Sequence, residues 1–191
     1  MLGDNLRDRL ERIVRRNRDL MAILQAAQAV NPPEWVVGAG IIRDLVWDEL
    51  HGRRGPLDCK DVDLAFFDSS NLSEEHEADM ELQLRQKLDV PWDAKNQARV
   101  HLWFEAHFGQ PAEPLRSIEA AVATWPETAV CVAVRLRADD VMEIIAPLGL
   151  RDLFDMVWRR NPPRVSVAEY RRRLGRKRVA ERWPLVRIDA Q

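Results

Sequence analysis

The sequence predicts an α/β (α+β) domain, and three observations carry that expectation. Apolar runs of strand character alternate with runs of helical period, glycine and proline clusters punctuate them, and two valine- and isoleucine-rich runs flank Ala138-Asp139-Asp140 like the arms of a hairpin. Read in order, the elements are strand, helix, strand, helix, strand and then the hairpin, a succession that buries a sheet beneath helices.

A helix precedes this series. Leu6, Leu10, Ile13, Leu20, Leu24 and Ala27 return at helical spacing over residues 5–30, and Asn31-Pro32-Pro33 ends the run because proline cannot continue the backbone ladder. Trp35-Val36-Val37 is a short apolar strand that runs into Gly38-Ala39-Gly40. A helix follows from about Ile41 to Leu50, closed by His51-Gly52, and Arg53 to Leu57 is a turn-rich loop. Val62, Leu64 and Phe66 alternate with Asp61, Asp63 and Ala65 in the period of a strand. Ser73 is placed to cap a helix whose apolar side is Met80, Leu84 and Leu88. Pro91 leads into a further strand expected from Trp92 to Trp103. Ser117 caps a short helix, and Thr124-x-x-Glu127 has the spacing of a capping box. The remainder is mostly helical and ends in a basic segment, residues 159–187. Residues 1–191 are expected to form one domain.

Composition narrows the classes open to the chain. No apolar run approaches the roughly 20 residues that span a bilayer, and the charged start MLGDNLRDRLERIVRRNRDL lacks the apolar core of a secretory signal. Cys59 and Cys131 are far apart, and His51, His76, His101 and His107 show no zinc-like spacing, so a cytoplasmic protein with neither a disulfide framework nor a zinc site is expected. The formal net charge of −2 conceals an asymmetry: acidic residues dominate from Asp58 to Asp93, whereas Arg171, Arg172, Arg173, Arg176, Lys177 and Arg178 are nearly consecutive. A divalent cation suits the first region and a polyanion the second, although solvated helix faces would give the same runs.

The chemistry concentrates in one unit: strand, Gly-Ala-Gly, helix, loop, then Asp61-Val62-Asp63 on a second strand. Residues two apart on a strand share a face, so Asp61 and Asp63 present two carboxylates side by side. Like charges so close are costly unless a cation sits between them. An oxygen-only pair suits Mg²⁺ (or Mn²⁺), which takes its remaining ligands from water and substrate phosphates. The glycines at Gly38 and Gly40 let backbone N–H groups approach a phosphate, and the following helix N-terminus adds a favourable dipole. Alone, the glycine turn is an ordinary tight turn and the acidic pair an ordinary polar strand end. Their order and the helix between them point to one metal–triphosphate site.

WVVGAGIIRD followed by KDVDLAFFD resembles the polymerase-beta-type nucleotidyltransferase superfamily, and Arg43 and Asp44 look like the matching pair of its tRNA CCA-adding branch. More closely, GAGIIRDLVWDELHG, DVDLAFFD, WDAKNQARVHLW, ATWPETA, IIAPLGLRDLF and RRNP resemble a bacterial family of uncharacterised nucleotidyltransferase-like proteins, over roughly Trp35 to Pro184. Two departures stand out: Ala39 separates the two glycines, and the loop before Asp61 is longer than usual in the superfamily. The resemblance implies a mixed sheet flanked by helices, a nucleoside triphosphate as donor, Mg²⁺ at Asp61 and Asp63, and a third carboxylate on a later strand. Topological order assigns that third role to Asp93, the local strand pattern to Glu143, and Asp93 is taken first. Gly38, Gly40, Arg43, Lys95, Asn96 and Arg99 are the residues expected to hold the nucleotide. The acceptor is an unknown hydroxyl or phosphate, on RNA or a small molecule, which the basic segment would face. A nucleotide-binding protein without catalysis, or a toxin–antitoxin-type modifier of protein or tRNA, are the alternatives. CCA addition itself is disfavoured, because the long helical RNA-binding extension does not fit this length.

Overall fold

A computed structural model describes residues 5–57 and 60–189. Cys59 and Asp58 therefore lie outside the described residues. In chain order the helices are α1 (Leu6–Arg16), α2 (Arg18–Val30), α3 (Gly40–Leu50), α4 (Glu74–Lys87), α5 (Val100–Phe108), α6 (Ile118–Val122), α7 (Arg151–Phe154), α8 (Val167–Lys177) and α9 (Val179–Arg182). The strands are β1 (Val36–Gly38), β2 (Val62–Phe66), β3 (Trp92–Asn96), β4 (Ala133–Leu136), β5 (Met142–Ile145), β6 (Val157–Trp158) and β7 (Arg187–Ile188).

Five strands form one mixed sheet in the order β3-β2-β1-β4-β5, in which only β2 and β3 run parallel. Alternation along the strands divides the interior in two. Val37, Val62, Leu64, Phe66, Trp92, Ala94 and Val134 turn to the larger core beneath α1, α2, α3 and α4. Val36, Ala65, Ala133 and Ile145 face the opposite way, into a smaller cluster with α6 and Cys131. Asp61, Asp63, Asp93 and Lys95 share that second face by strand alternation. The site therefore lies where the sheet is only partly covered.

Several expectations are corrected in detail. The N-terminal helix is two helices, because Asn17 adopts an extended conformation and caps α2 with its side chain, accepting from the Leu20 N–H at 2.9 Å. The strand expected from Trp92 to Trp103 stops at Asn96. There the Asn96 side chain accepts from the Ala98 N–H at 3.1 Å and starts a 3₁₀ turn that leads into α5. Thr124 caps nothing: it follows α6 and its hydroxyl donates back to the Ala121 carbonyl at 2.8 Å. β6 and β7 were too short for a periodic signal.

The basic C-terminal segment is not a free helix. Arg173 donates to Glu127, a fully buried carboxylate, at 2.6 Å, and the Trp183 indole donates to Asp48 at 2.8 Å. Tyr170 donates its hydroxyl to main-chain oxygens of Trp158 and Asp189, at 2.8 and 2.7 Å. These long-range contacts fold α8 and α9 back against α3 and the sheet.

Candidate active site

The β1–α3 turn is built by packing as much as by the need to meet a ligand. A Cβ at Gly38 would stand 2.7 Å from the Ala133 Cβ and from the Trp125 ring, so glycine is required there to let the strand and the indole close. Gly38 is accordingly buried in packing and does not line the cleft, whereas Gly40 does. Ala39 takes φ 57° and ψ −120°, a conformation that costs a side-chain-bearing residue on the order of 1–3 kcal/mol. That twist sets Gly40, at the start of α3, beside the Asp63 carboxylate, whose Oδ2 would lie 3.9 Å from a Cβ at that position.

Asp63 and Asp93 are direct partners in the parallel β2–β3 register, which puts their backbones roughly 4.8 Å apart. Asp61 stands two residues upstream of Asp63 at the mouth of the strand. Burial first, and then the negative charges of Asp61 and Asp93, push the Asp63 carboxyl up to about 6; Lys177 and the Gly40 N–H pull in the opposite direction. All three aspartates line one open cleft of about 930 Å³. Among the described residues, no three His, Cys, Asp or Glu side chains already converge as a metal cage. An incomplete, oxygen-only set fits Mg²⁺, which binds through one or two carboxylates and completes its shell with water and phosphate. The charge crowded on Asp63 is the local reason a cation would be welcome there.

The other expected residues separate clearly. Lys95 lines the cleft and is tied to Asp93 at 2.6 Å, with Glu81 at 3.5 Å on its far side. Arg43 reaches the cleft wall but is only 2% exposed; its guanidinium lies 5.6, 5.2 and 5.3 Å from the Trp47, Trp158 and Trp183 rings and binds Asp44 through Nε at 2.8 Å. The guanidinium is thus largely committed to the tryptophans and Asp44, with only a small part of it at the cleft wall. Asn96 is fully buried, and its side chain ties the Asp68 N–H and the Asp68 and Asn71 carbonyls together. Arg99 bonds the Leu72 carbonyl, Glu77 and Glu74, each at 3.0 Å. Neither Asn96 nor Arg99 lines the cleft, so the expectation that they hold nucleotide does not fit. Glu143 sits on the far edge strand, paired with Arg135 at 2.6 Å, and is remote from the cleft lining.

Conversely, Trp125, Arg173, Arg176, Lys177 and Arg178 line the cleft. Nothing in the local sequence marks Trp125 or the basic run as part of the cleft, because long-range packing brings both to it. A sequence profile described as nucleotidyltransferase matches residues 25–188. The chain belongs to this nucleotidyltransferase family.

Among solved structures, the nucleotidyltransferase is similar to one described as revealing a CCA-adding enzyme head domain, with 28% identity, a TM-score of 0.79, and 98% of this chain and 97% of that one covered. It also shares its fold with a CCA-adding enzyme solved with CTP (18% identity, TM-score 0.58, 94% and 42% covered). A third likeness is the Thermotoga maritima CCA-adding enzyme complexed with tRNA, at 17% identity and TM-score 0.57, again with 94% and 42% covered. The chain thus spans less than half the length of these two enzymes. A comparison with curated proteins finds no match. Among the described residues, no helix is long and apolar enough to cross a membrane.

Proposed function

We propose that the protein transfers a nucleoside monophosphate from a nucleoside triphosphate to an acceptor hydroxyl or phosphate, with Mg²⁺ (or Mn²⁺) held at Asp61 and Asp63. The observation that carries this reading is the pairing of Asp63 with Asp93 in register, beside the Gly40 N–H, in a cleft wide enough for a nucleotide. Two aspartates on one strand and a third directly across the ladder supply both a metal pair and a separate proton acceptor. Asp93 therefore takes the third role and Glu143 does not.

When bound, the metal ion supplies charge neutralisation along the triphosphate and polarises the α-phosphate. The chain's own residues do the rest. Asp61 and Asp63 would hold the ion, and the α3 N-terminus favours the negative charge of phosphates entering the cleft. Asp93 accepts the proton of the acceptor hydroxyl as its oxygen bonds to the α-phosphorus and the bond to the β-phosphate oxygen breaks, releasing pyrophosphate. For a phosphate acceptor no proton need be removed, and Asp93 is then an orienting group.

The fold shared with enzymes solved with CTP and with tRNA supports a nucleotide donor and leaves RNA and small molecules open as acceptors. The direct test is incubation with each labelled nucleoside triphosphate, Mg²⁺ and a cell extract. Label in an RNA, protein or small-molecule fraction, lost in Asp61→Asn, supports transfer. Nucleotide binding with no labelled product in any fraction favours the non-catalytic alternative, and a labelled protein or tRNA favours the modifier.

A further inference from the structure

The nucleotidyltransferase reading requires a grip on three phosphates, and most residues expected to supply it are engaged elsewhere. Gly38 is packed against Trp125, Arg43 is enclosed by tryptophans, Asn96 and Arg99 face α4 and its loop, and Gly40 already neighbours the Asp63 carboxylate. Yet among the described residues the cleft lining carries eight cationic side chains against five acidic ones, a surplus that suits an anionic ligand beyond the metal-binding carboxylates.

Five of the eight cations have partners. Arg43 and Arg182 both bind Asp44, Lys95 binds Asp93, Arg173 binds Glu127 and Arg178 binds Glu181. Among the described residues, Lys60, Arg176 and Lys177 are lining cations without an ion pair. Lys60 is exposed beside Asp61 at the mouth. Arg176 and Lys177 stand on the last turn of α8 and line the same cleft as Asp61 and Asp63. Cations on a last helical turn also complement the helix dipole. That accounts for their presence but not for their facing a cleft whose other wall is acidic.

We propose that Arg176 and Lys177 form the polyphosphate grip of this enzyme, holding the β- and γ-phosphates of the donor and the pyrophosphate that leaves. The assignment to the donor rather than the acceptor follows from position. Phosphates meeting a metal at Asp61 and Asp63 would lie in the cleft that Arg176 and Lys177 line, whereas the acceptor would approach Asp93, whose cation Lys95 is already paired with it at 2.6 Å. The grip is prepared in advance, because Arg173–Glu127 and Trp183–Asp48 hold α8 and α9 in place before any ligand arrives. Sequence alone suggested that the basic run meets an anionic acceptor; the pairing pattern divides that run and turns two of its members towards the donor.

The inference rests on the nucleotidyltransferase reading, and calorimetry on the full chain separates the two. Nucleoside triphosphate and inorganic tripolyphosphate, each with Mg²⁺, and separately a 5′-phosphorylated oligoribonucleotide are titrated into the wild type, the Arg176→Gln/Lys177→Gln double variant and the charge-preserving Arg176→Lys/Lys177→Arg variant; the first two are the donor ligands. The double variant is expected to bind both ligands at least about tenfold more weakly, and the charge-preserving one to stay within about threefold of the wild type. Unchanged affinity for both ligands in a double variant that melts like the wild type overturns the grip while leaving nucleotide binding intact. So does a loss confined to a 5′-phosphorylated oligoribonucleotide, which would move the cations to the acceptor. If the wild type binds neither ligand, the nucleotidyltransferase reading fails first and takes the grip with it.

Discussion

Replacing Asp63 with asparagine should make the metal-free protein more stable while removing its metal-dependent nucleotide binding. The carboxyl titrates near 6 in the fold against an ordinary 3.8. Between these values the folded protein keeps a proton that the unfolded chain has released, so this group's contribution to stability falls as pH rises through the window. Above about pH 6 the full cost applies, about 3 kcal/mol at 1.36 kcal/mol per pKa unit. Asp61 and Asp93 share the repulsion, and an asparagine amide must find its own partner in the cleft, so the substitution should recover about 1–3 kcal/mol. Asparagine keeps an oxygen for the Gly40 N–H, which leaves the turn in place. For a chain of this length the gain corresponds to roughly 2–10 °C in Tm. Thermal melts of wild type and Asp63→Asn in chelator, from pH 4 to 8, give the check. The difference between the two should be largest near pH 8 and vanish towards pH 4. A variant no more stable than wild type at pH 8, or a difference that ignores pH, would refute the account of Asp63 as a carboxylate held at a cost for function.

Other outcomes follow from the same geometry. Asp93→Ala should lower transfer by at least about a hundredfold and largely spare nucleotide affinity, whereas Glu143→Gln should leave transfer unchanged; a reversed pattern in a labelling assay would return the third role to β5. Ala39→Gly should raise stability by about 0.5–1 kcal/mol, because relief of the positive-φ strain exceeds the extra freedom of the unfolded chain, and a fall in Tm would show that Ala39 is not strained. Glu127→Leu leaves Arg173 without its partner and should cost about 3 kcal/mol by denaturant unfolding, the lower end of the range for a broken buried pair because Arg173 keeps some contact with water. Binding of Mg²⁺–nucleotide should weaken as pH falls below about 6, when Asp63 gains its proton; calorimetry showing equal affinity at pH 5 and pH 7.5 would argue against a metal at Asp63.

Much of this architecture was legible because its signals are local. Val62, Leu64 and Phe66 alternate with Asp61 and Asp63, and strand alternation alone sets the two carboxylates on one face. The stop at Asn31-Pro32-Pro33, the Ser73 cap and the hairpin around Asp139 depend on neighbours a few residues away. Asn17 and Asn96 show where local reading failed. Each interrupts an otherwise continuous pattern with a side-chain hydrogen bond to the backbone two or three residues on, an alternative that hydrophobic period does not register.

The order of elements, the acidic pair on its strand and the glycine turn before α3 are properties of consecutive residues, and so they can be read before any fold is known. The commitments of side chains were decided by tertiary structure. Arg43 looks like a phosphate ligand until three tryptophans from α3, β6 and the end of α9 close around it. Asp93, though taken first, keeps Glu143 as a rival until the β2–β3 register sets one beside Asp63 and the sheet order carries the other to the far edge. The basic run looks like a solvated face until a buried ion pair to Glu127, 46 positions away in the chain, turns α8 over the carboxylates. A residue's burial and its partner are set by contacts between distant segments, and whether a charge is spent or free to meet a ligand depends on both.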